Sequence, residues 1–503
     1  MIYNRALSIP KRVSNKNPKT SISVGAVLQP AERTSVSIPA SNAAGHIASS
    51  PAAATQSSPQ RQSGRSSFLR NAAAGVTLAA LLGCGNQYRP VITSINPVGP
   101  AGQPQKYAVA ISSTGANTPG LVTIVDFSGD SVLITAQVGV NPSYFITDAA
   151  GFNGYTINGD ASISQFDIST SLLSSAVNNT TLLPGSVPTT LFPQGSYEYV
   201  TEPGVSAIGQ FTGNPPAPKQ NLPVTANPVY VVGYANAQRI YALSQGTPGS
   251  IGQAAAIDVN SNTVTTNVPV GVTPVYGVMT ADLRRAFILN KGSNTVSVIN
   301  SQTNALDSFP GSVAPGTIAV GTAPVWADLA PTRNEVVVAN AGDGVHNGSV
   351  TIFSNPLCNA ASEPTNPNCD PTNPVDAQGF GQVLATVPVG VNPVVIAVLA
   401  DGTRAYVANG GNPSLPCATV PVAGVSTGCS VSVINLTSNV VTATIPVSGH
   451  PNFLALTNGT PTGKVYVTTA DNDYMTVIET DTDSVDTTVN LQGKGVMVRT
   501  TAP

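Results

Sequence analysis

A five-residue turn, Val-Gly-x-x-Pro, returns along the chain at 138–142, 270–274, 320–324 and 389–393, with a variant at 447–451. The interval from Pro142 to Pro274 is 132 residues, three times 44, and two weaker copies fill it. These are Pro-Gly-Ser-Val-Pro ending at Pro188 and Val-Thr-Ala-Asn-Pro ending at Pro228. A last copy, Leu-Gln-Gly-Lys-Gly, ends at Gly495. Self-similarity at such a period means one supersecondary unit per repeat, so any acceptable fold must be built from copies of that unit.

Two further patterns keep the same phase. Alternating segments such as Val-Ser-Val-Ile-Asn recur at 122–126, 163–167, 296–300, 350–354, 431–435 and 475–479. Segments ending in asparagine recur at Asn290, Asn340 and Asn409. Period-two alternation bounded by Gly, Asn, Asp and Pro predicts short strands joined by tight turns. After Pro393 four strands are predicted, at 394–399, 404–409, 430–435 and 440–447. Four antiparallel strands per repeat of about 40–45 residues are the pattern of a propeller blade. The two longest steps contain cysteine pairs, and their surplus is read as loop insertions at about 355–381 and 410–429.

Composition agrees. Only 9% of the 503 residues are charged, against roughly a quarter in ordinary soluble proteins, which excludes a coiled coil, an ion-paired helical bundle or a basic nucleic-acid-binding face. With 41% apolar residues the chain can still bury a core. No helix of useful length is predicted after residue 84. The first unit, from 107, lacks its leading strand, while one orphan strand at 496–500 follows the last turn. Pairing the two closes the ring and removes the open edge. The expectation is an all-β propeller of four-stranded blades over 107–503, eight in number, or seven if the divergent region 152–235 forms one fewer.

The segments Arg-Ala-Tyr-Val-Ala-Asn at 404–409, Ser-Val-Ser-Val-Ile-Asn at 430–435 and Thr-Ile-Pro-Val at 444–447 resemble the 40-residue YVTN β-propeller repeats of bacterial and archaeal cell-surface proteins. The match covers about 240–503 well and 107–240 weakly. The resemblance implies a fold rather than a reaction. Surface-layer-like proteins, lactonase-like propellers and quinoprotein dehydrogenase subunits share this architecture, and no catalytic signature of the latter two is present to carry over.

Charge is unevenly placed. Residues 1–70 hold nine bases and one acid, which leaves a body with formal charge about −11 although the whole chain is −3. After Arg70 comes an 11-residue apolar run at 72–82, then Gly83 and Cys84. A basic stretch, a short apolar segment and a small residue form a secretory signal, and eleven residues are too few to span a bilayer. The ending resembles a lipoprotein signal, in which Cys84 is lipidated and becomes the mature N-terminus. Leu82 is larger than that pattern usually has, so ordinary signal cleavage stays open, as does a buried helix with a core cysteine. Residues 1–60 read as a disordered extension, 61–84 as the signal and 85–106 as a linker. The four remaining cysteines fall as Cys358 with Cys369 and Cys417 with Cys429, which predicts two local disulfides in an oxidising compartment. The metal alternative needs tighter spacing than either pair has, so no metal site is predicted.

Candidate chemistry is sparse. His346, with Asp343 nearby, and His450 fall in loops at one end of the propeller, either as a ligand face able to do metal or acid–base chemistry or as solvated loop histidines in different blades. Trp326, the only tryptophan, follows Pro324 on an innermost strand, as core or as a channel-lining stacker. At the opposite end Arg239, Arg285, Arg333, Arg404 and Lys464 make a candidate basic ring, read either as an anion-attracting surface or as soluble turns. The acidic triplets at 471–473 and 481–483 lack the glycine and distal glutamate of a calcium loop, so a Ca²⁺ role is the weaker reading beside hairpin turns. No catalytic motif and no cofactor are predicted. The resulting expectation is an exported, lipid-anchored binding or scaffold module at the cell surface, meeting an unidentified surface ligand or protein and no nucleic acid. Its alternatives are a lactonase-like or metal-assisted hydrolase and a structural coat component.

Overall fold

In the computed structural model, residues 107–168, 177–307, 309, 314–356, 379–417, 429–457 and 463–501 are described. They form 33 strands, numbered in chain order, in eight antiparallel sheets. The second sheet runs from β4 (Pro142–Thr147) to β7 (Asn178–Thr181) and the third from β8 (Leu191–Gln194) to β11 (Ala217–Pro223). The fourth runs from β12 (Pro228–Val232) to β15 (Thr263–Val272) and the fifth from β16 (Pro274–Met279) to β20 (Thr317–Ala319). The sixth runs from β21 (Pro324–Ala330) to β24 (Val383–Val391), the seventh from β25 (Pro393–Val398) to β28 (Val440–Pro446), and the eighth from β29 (Pro451–Leu456) to β32 (Ser484–Asn490). The chain is an eight-bladed β-propeller, so the divergent region holds two full blades. Among the described residues the only helical element is a 3₁₀ turn at Pro203–Val205.

Closure follows the expected route. The first sheet has the order β3 (Ser131–Val140), β2 (Pro119–Asp126), β1 (Tyr107–Ser113), β33 (Lys494–Thr500). Val109 pairs Arg499 and Ala110 pairs Val498, so the last strand is the innermost strand of the first blade. β33 neighbours both β29 and β4, which completes a ring of eight inner strands. One blade departs from the pattern: in the fifth the outer strand is split into β19 (Ala305–Leu306) and β20, both pairing with β18 (Thr295–Asn300).

The repeated motif has a packing cause. Each repeat asparagine is buried and binds hydroxyls of the third strand: Asn409 Nδ2 donates to Ser430 Oγ at 3.1 Å and Ser432 Oγ at 2.9 Å, and Asn158 Nδ2 to Ser162 at 3.0 Å and Ser164 at 2.9 Å. The turn glycine lies over this asparagine. A Cβ on Gly390 would stand 2.6 Å from Asn409 Cγ, and one on Gly139 would stand 2.3 Å from Asn158 Nδ2. Two patterns that look independent in sequence are therefore the halves of one contact.

A second device joins successive blades. A tyrosine on the second strand donates to the left-handed Asn or Asp in the next blade's outer turn: Tyr199 to Asn262 at 2.7 Å, Tyr241 to Asn304 at 2.8 Å, Tyr406 to Asp483 at 2.6 Å and Tyr466 to Asp130 at 3.1 Å. Those acceptors have φ between 49° and 52°, a region where short polar residues are the least strained choice after glycine. The last of these contacts links the eighth blade to the first, so it reinforces closure.

Candidate functional site

Six of the inner strands share a kink. In β4, β12, β16, β21 and β29 the ladder shifts register just after the motif proline, and the same shift occurs in β25. A bulge of this kind re-aims the side chain that follows it. The residues two after the proline are Tyr144, Tyr230, Tyr276, Trp326, Val395 and Phe453. Tyr230 and Tyr276 meet at 4.7 Å between ring centroids, Tyr276 stacks on Trp326 at 3.9 Å, and Trp326 meets Phe453 edge-on at 5.3 Å. Trp326 and Phe453 belong to blades separated by another, and the small Val395 between them leaves room for their contact. The aromatic residues thus gather about the propeller axis.

Two charged side chains occupy the next position inward along these strands. Asp328, from β21, accepts the backbone N–H groups of Val398 and Leu329, each at 2.8 Å. Burial pushes its carboxyl up to about 6, against those two hydrogen bonds and the nearby Arg499. Arg499, from β33, lies over the Phe453 ring at 4.8 Å, and its field reaches Tyr144, Tyr230, Tyr276 and Asp328. Its Nε is buried without a hydrogen-bond partner, and among the described residues no carboxylate lies within ion-pairing distance. Burial raises the hydroxyls of Tyr144, Tyr230 and Tyr276, which remain neutral donors. Trp326, Tyr230, Tyr276, Asp328 and Arg499 keep intermediate exposure at the axis, as residues lining a central space do. The ensemble offers flat aromatic walls, one cation without a carboxylate and one carboxyl that titrates near neutrality, a combination suited to a small planar ligand bearing an anionic group.

The histidines are placed in different blades and do not share a site. His346 and Asp343 form an exposed pair with Nδ1 and Oδ2 2.6 Å apart. The backbone N–H of His346, then its imidazole, holds the Asp343 carboxyl well below the usual range. His450 is more enclosed. Its Nδ1 is 2.5 Å from Asp471 Oδ2, its backbone N–H donates to the same oxygen at 2.8 Å, and Nε2 faces the carbonyls of Asn412 at 3.2 Å and Leu415 at 3.1 Å. Burial lowers the His450 pKa, but Asp471 and the loop carbonyls outweigh it and raise the value overall. Beside this pair a cleft of about 420 Å³ opens between the eighth and first blades, lined by Ser113, Asp471, Asp473, Gln492 and Lys494.

The basic residues at the other end carry carboxylate partners. Arg239 pairs with Asp258 at 2.8 Å, Arg285 with Asp307 at 2.5 Å, Arg333 with Glu335 at 2.9 Å, Arg404 with Asp483 at 2.9 Å and Lys464 with Asp130 at 2.6 Å. The last two bridge neighbouring blades, so this set holds turns together. Asp483 and Asp471, from the acidic triplets, are likewise committed to protein partners. Cys417 and Cys429 form a disulfide across 12 residues. Cys84, Cys358, Cys369 and the signal lie outside the described residues. Sequence reasoning singled out Trp326 but missed Asp328 and Arg499. It also missed a buried carboxyl, Glu198, which is 6% exposed and which burial pushes up to about 7.

No family model and no curated protein matches this sequence. Solved structures do. The dihydro-heme d1 dehydrogenase NirN in complex with DHE is 12% identical, with 80% of this chain and 77% of that one covered and a TM-score of 0.57. Apo AztD from Citrobacter koseri is 12% identical, with 78% and 97% covered and a TM-score of 0.50. At such identities the likeness is one of fold, and it places this chain among the β-propellers.

Proposed function

We propose that this chain is an exported, lipid-anchored β-propeller that captures a small ligand on its axis. The ligand's planar body lies against Tyr276, Trp326 and Phe453, and an anionic group meets Arg499. The observation that carries this reading is the buried, unpartnered Arg499 Nε facing a cluster of aromatic rings. A buried guanidinium nitrogen without an acceptor is costly, and a bound carboxylate or phosphate would supply one bidentately. NirN and AztD are propellers of similar architecture, and NirN was solved in complex with DHE. The export signal and the lipid on Cys84 are the expected address, which mass spectrometry of the mature chain tests by finding or failing to find a diacylglyceryl Cys84.

Trp326 is the only tryptophan, so intrinsic fluorescence reports directly on this position. Titration with benzoate-type carboxylates and their neutral amides should show saturable changes for the acids, with binding at least tenfold weaker in Arg499→Gln. Affinity for the acids should fall as pH rises through about 6, where Asp328 becomes an anion beside Arg499, and Asp328→Asn should flatten that dependence. Equal binding of acids and amides, or an unchanged Arg499→Gln, would remove the proposal. A second reading, a lactonase-like hydrolase, gains from the same carboxyl, since a group titrating near 6 in an enclosed site is suited to proton transfer. Turnover of a lactone panel, abolished in Asp328→Asn, would favour it over simple binding.

A further inference from the structure

The disulfide and His450 lie together although sequence spacing separates them. Cys417 follows β26 (Arg404–Gly410), and Cys429 begins β27 (Cys429–Asn435) in the same, seventh blade. His450 comes from the turn that enters β29 in the eighth. Their Sγ and imidazole nitrogen atoms all lie within 4.8 Å of one another. Tetrahedral zinc, with bonds of about 2.3 Å to sulfur and 2.0 Å to nitrogen, sets its ligand atoms about 3.5 Å apart, so opening the disulfide and small side-chain adjustments reach that geometry.

We infer that Cys417, Cys429 and His450 form a redox-gated Cys₂His site for a zinc-class divalent ion. In the oxidised chain the two sulfurs are bonded to each other and the site is closed. A two-electron reductant such as a water-soluble phosphine opens it: the sulfur–sulfur bond becomes two thiols, water supplies their protons, and its oxygen passes to the phosphine. The ion then displaces both thiol protons and takes His450 Nε2 as third ligand, which exchanges its contacts with the Asn412 and Leu415 carbonyls for the metal. Asp471, on Nδ1 at 2.5 Å, is the carboxylate that orients a metal-binding imidazole from its far side, leaving the fourth position to water. Half-buried Cys417 and His450 around a buried Cys429 give the ion a route in. The spacing argument against metal applied to the cysteines alone and missed a histidine delivered by the next blade.

The full-length chain is reduced with a phosphine under argon, mixed with zinc, freed of excess metal by gel filtration and assayed for bound zinc. Reduced wild type should retain one more zinc per chain than Cys417→Ser or His450→Gln, and the oxidised chain should lack that zinc. Asp471→Asn should weaken the site about 10- to 100-fold. The double variant Cys358→Ser/Cys369→Ser should bind as wild type does, and cobalt in place of zinc should show a thiolate charge-transfer band that His450→Gln alters. Zinc retention that is the same in Cys417→Ser as in wild type, or that disappears with Cys358 and Cys369, overturns the site.

Discussion

Glu198 is a buried carboxyl without a cationic partner among the described residues. The consequence is a pH-dependent stability whose sign follows from linkage. Burial raises the folded-state value of Glu198 to about 7, above its ordinary 4.5, so the folded chain holds that proton more tightly than the unfolded chain. The stabilisation is fully present below about 4.5 and is lost as pH rises through about 7. Glu198→Gln keeps the shape and removes the ionisation. It should gain about 2–3 kcal/mol over wild type at pH 8 and little at pH 4.5, read as the difference in urea midpoints at the two pH values. A gain equal at both would show that packing, rather than the proton, governs this position.

At the scale of the strand and turn, the propeller was legible because its recurring contacts are local and chemically narrow. A glycine that must clear a buried asparagine, and a tyrosine that must find a left-handed Asn or Asp, permit few residue types. They therefore print a period on the sequence. Asn409→Ala should expose this logic, since it strands two buried serine hydroxyls and opens a gap beneath Gly390. Expected is a loss of about 2–4 kcal/mol by denaturant unfolding, with Gly390→Ala costing a similar amount through the clash. If Asn409→Ala cost under about 0.5 kcal/mol, the range of an ordinary surface substitution, the asparagine would be incidental to the repeat. The axial site was not legible because its parts are ordinary strand residues until the ring closes. Tyr144 and Arg499 lie 355 positions apart, and nothing in either strand alone marks the axis. The bulge that turns the aromatic residues inward is a backbone event, visible only once the ladders are registered.

At the scale of the whole molecule, eight blades stand or fall with one latch. β33 supplies six paired positions to β1, and the first blade has no other inner strand. Val498→Pro, which removes a backbone donor at the centre of this pairing and fills a fully buried position, should open the latch. Hydrogen exchange should then accelerate in β1 and β33 before it does in the fourth or fifth blade. Uniform acceleration across all blades would mean that the ring opens only by global unfolding.

The latch strand also carries Arg499, so the cation of the axial site arrives with the strand that shuts the ring. Any occupant held by that guanidinium binds the shut state and not the unlatched one, and thereby acts as a clasp on the first blade. By mass action an occupant at a hundred times its dissociation constant would add about 2.7 kcal/mol to closure. The same exchange experiment on β1 therefore serves as a label-free sensor of what occupies the axis, slowing as ligand concentration rises above its dissociation constant in wild type and not in Arg499→Gln.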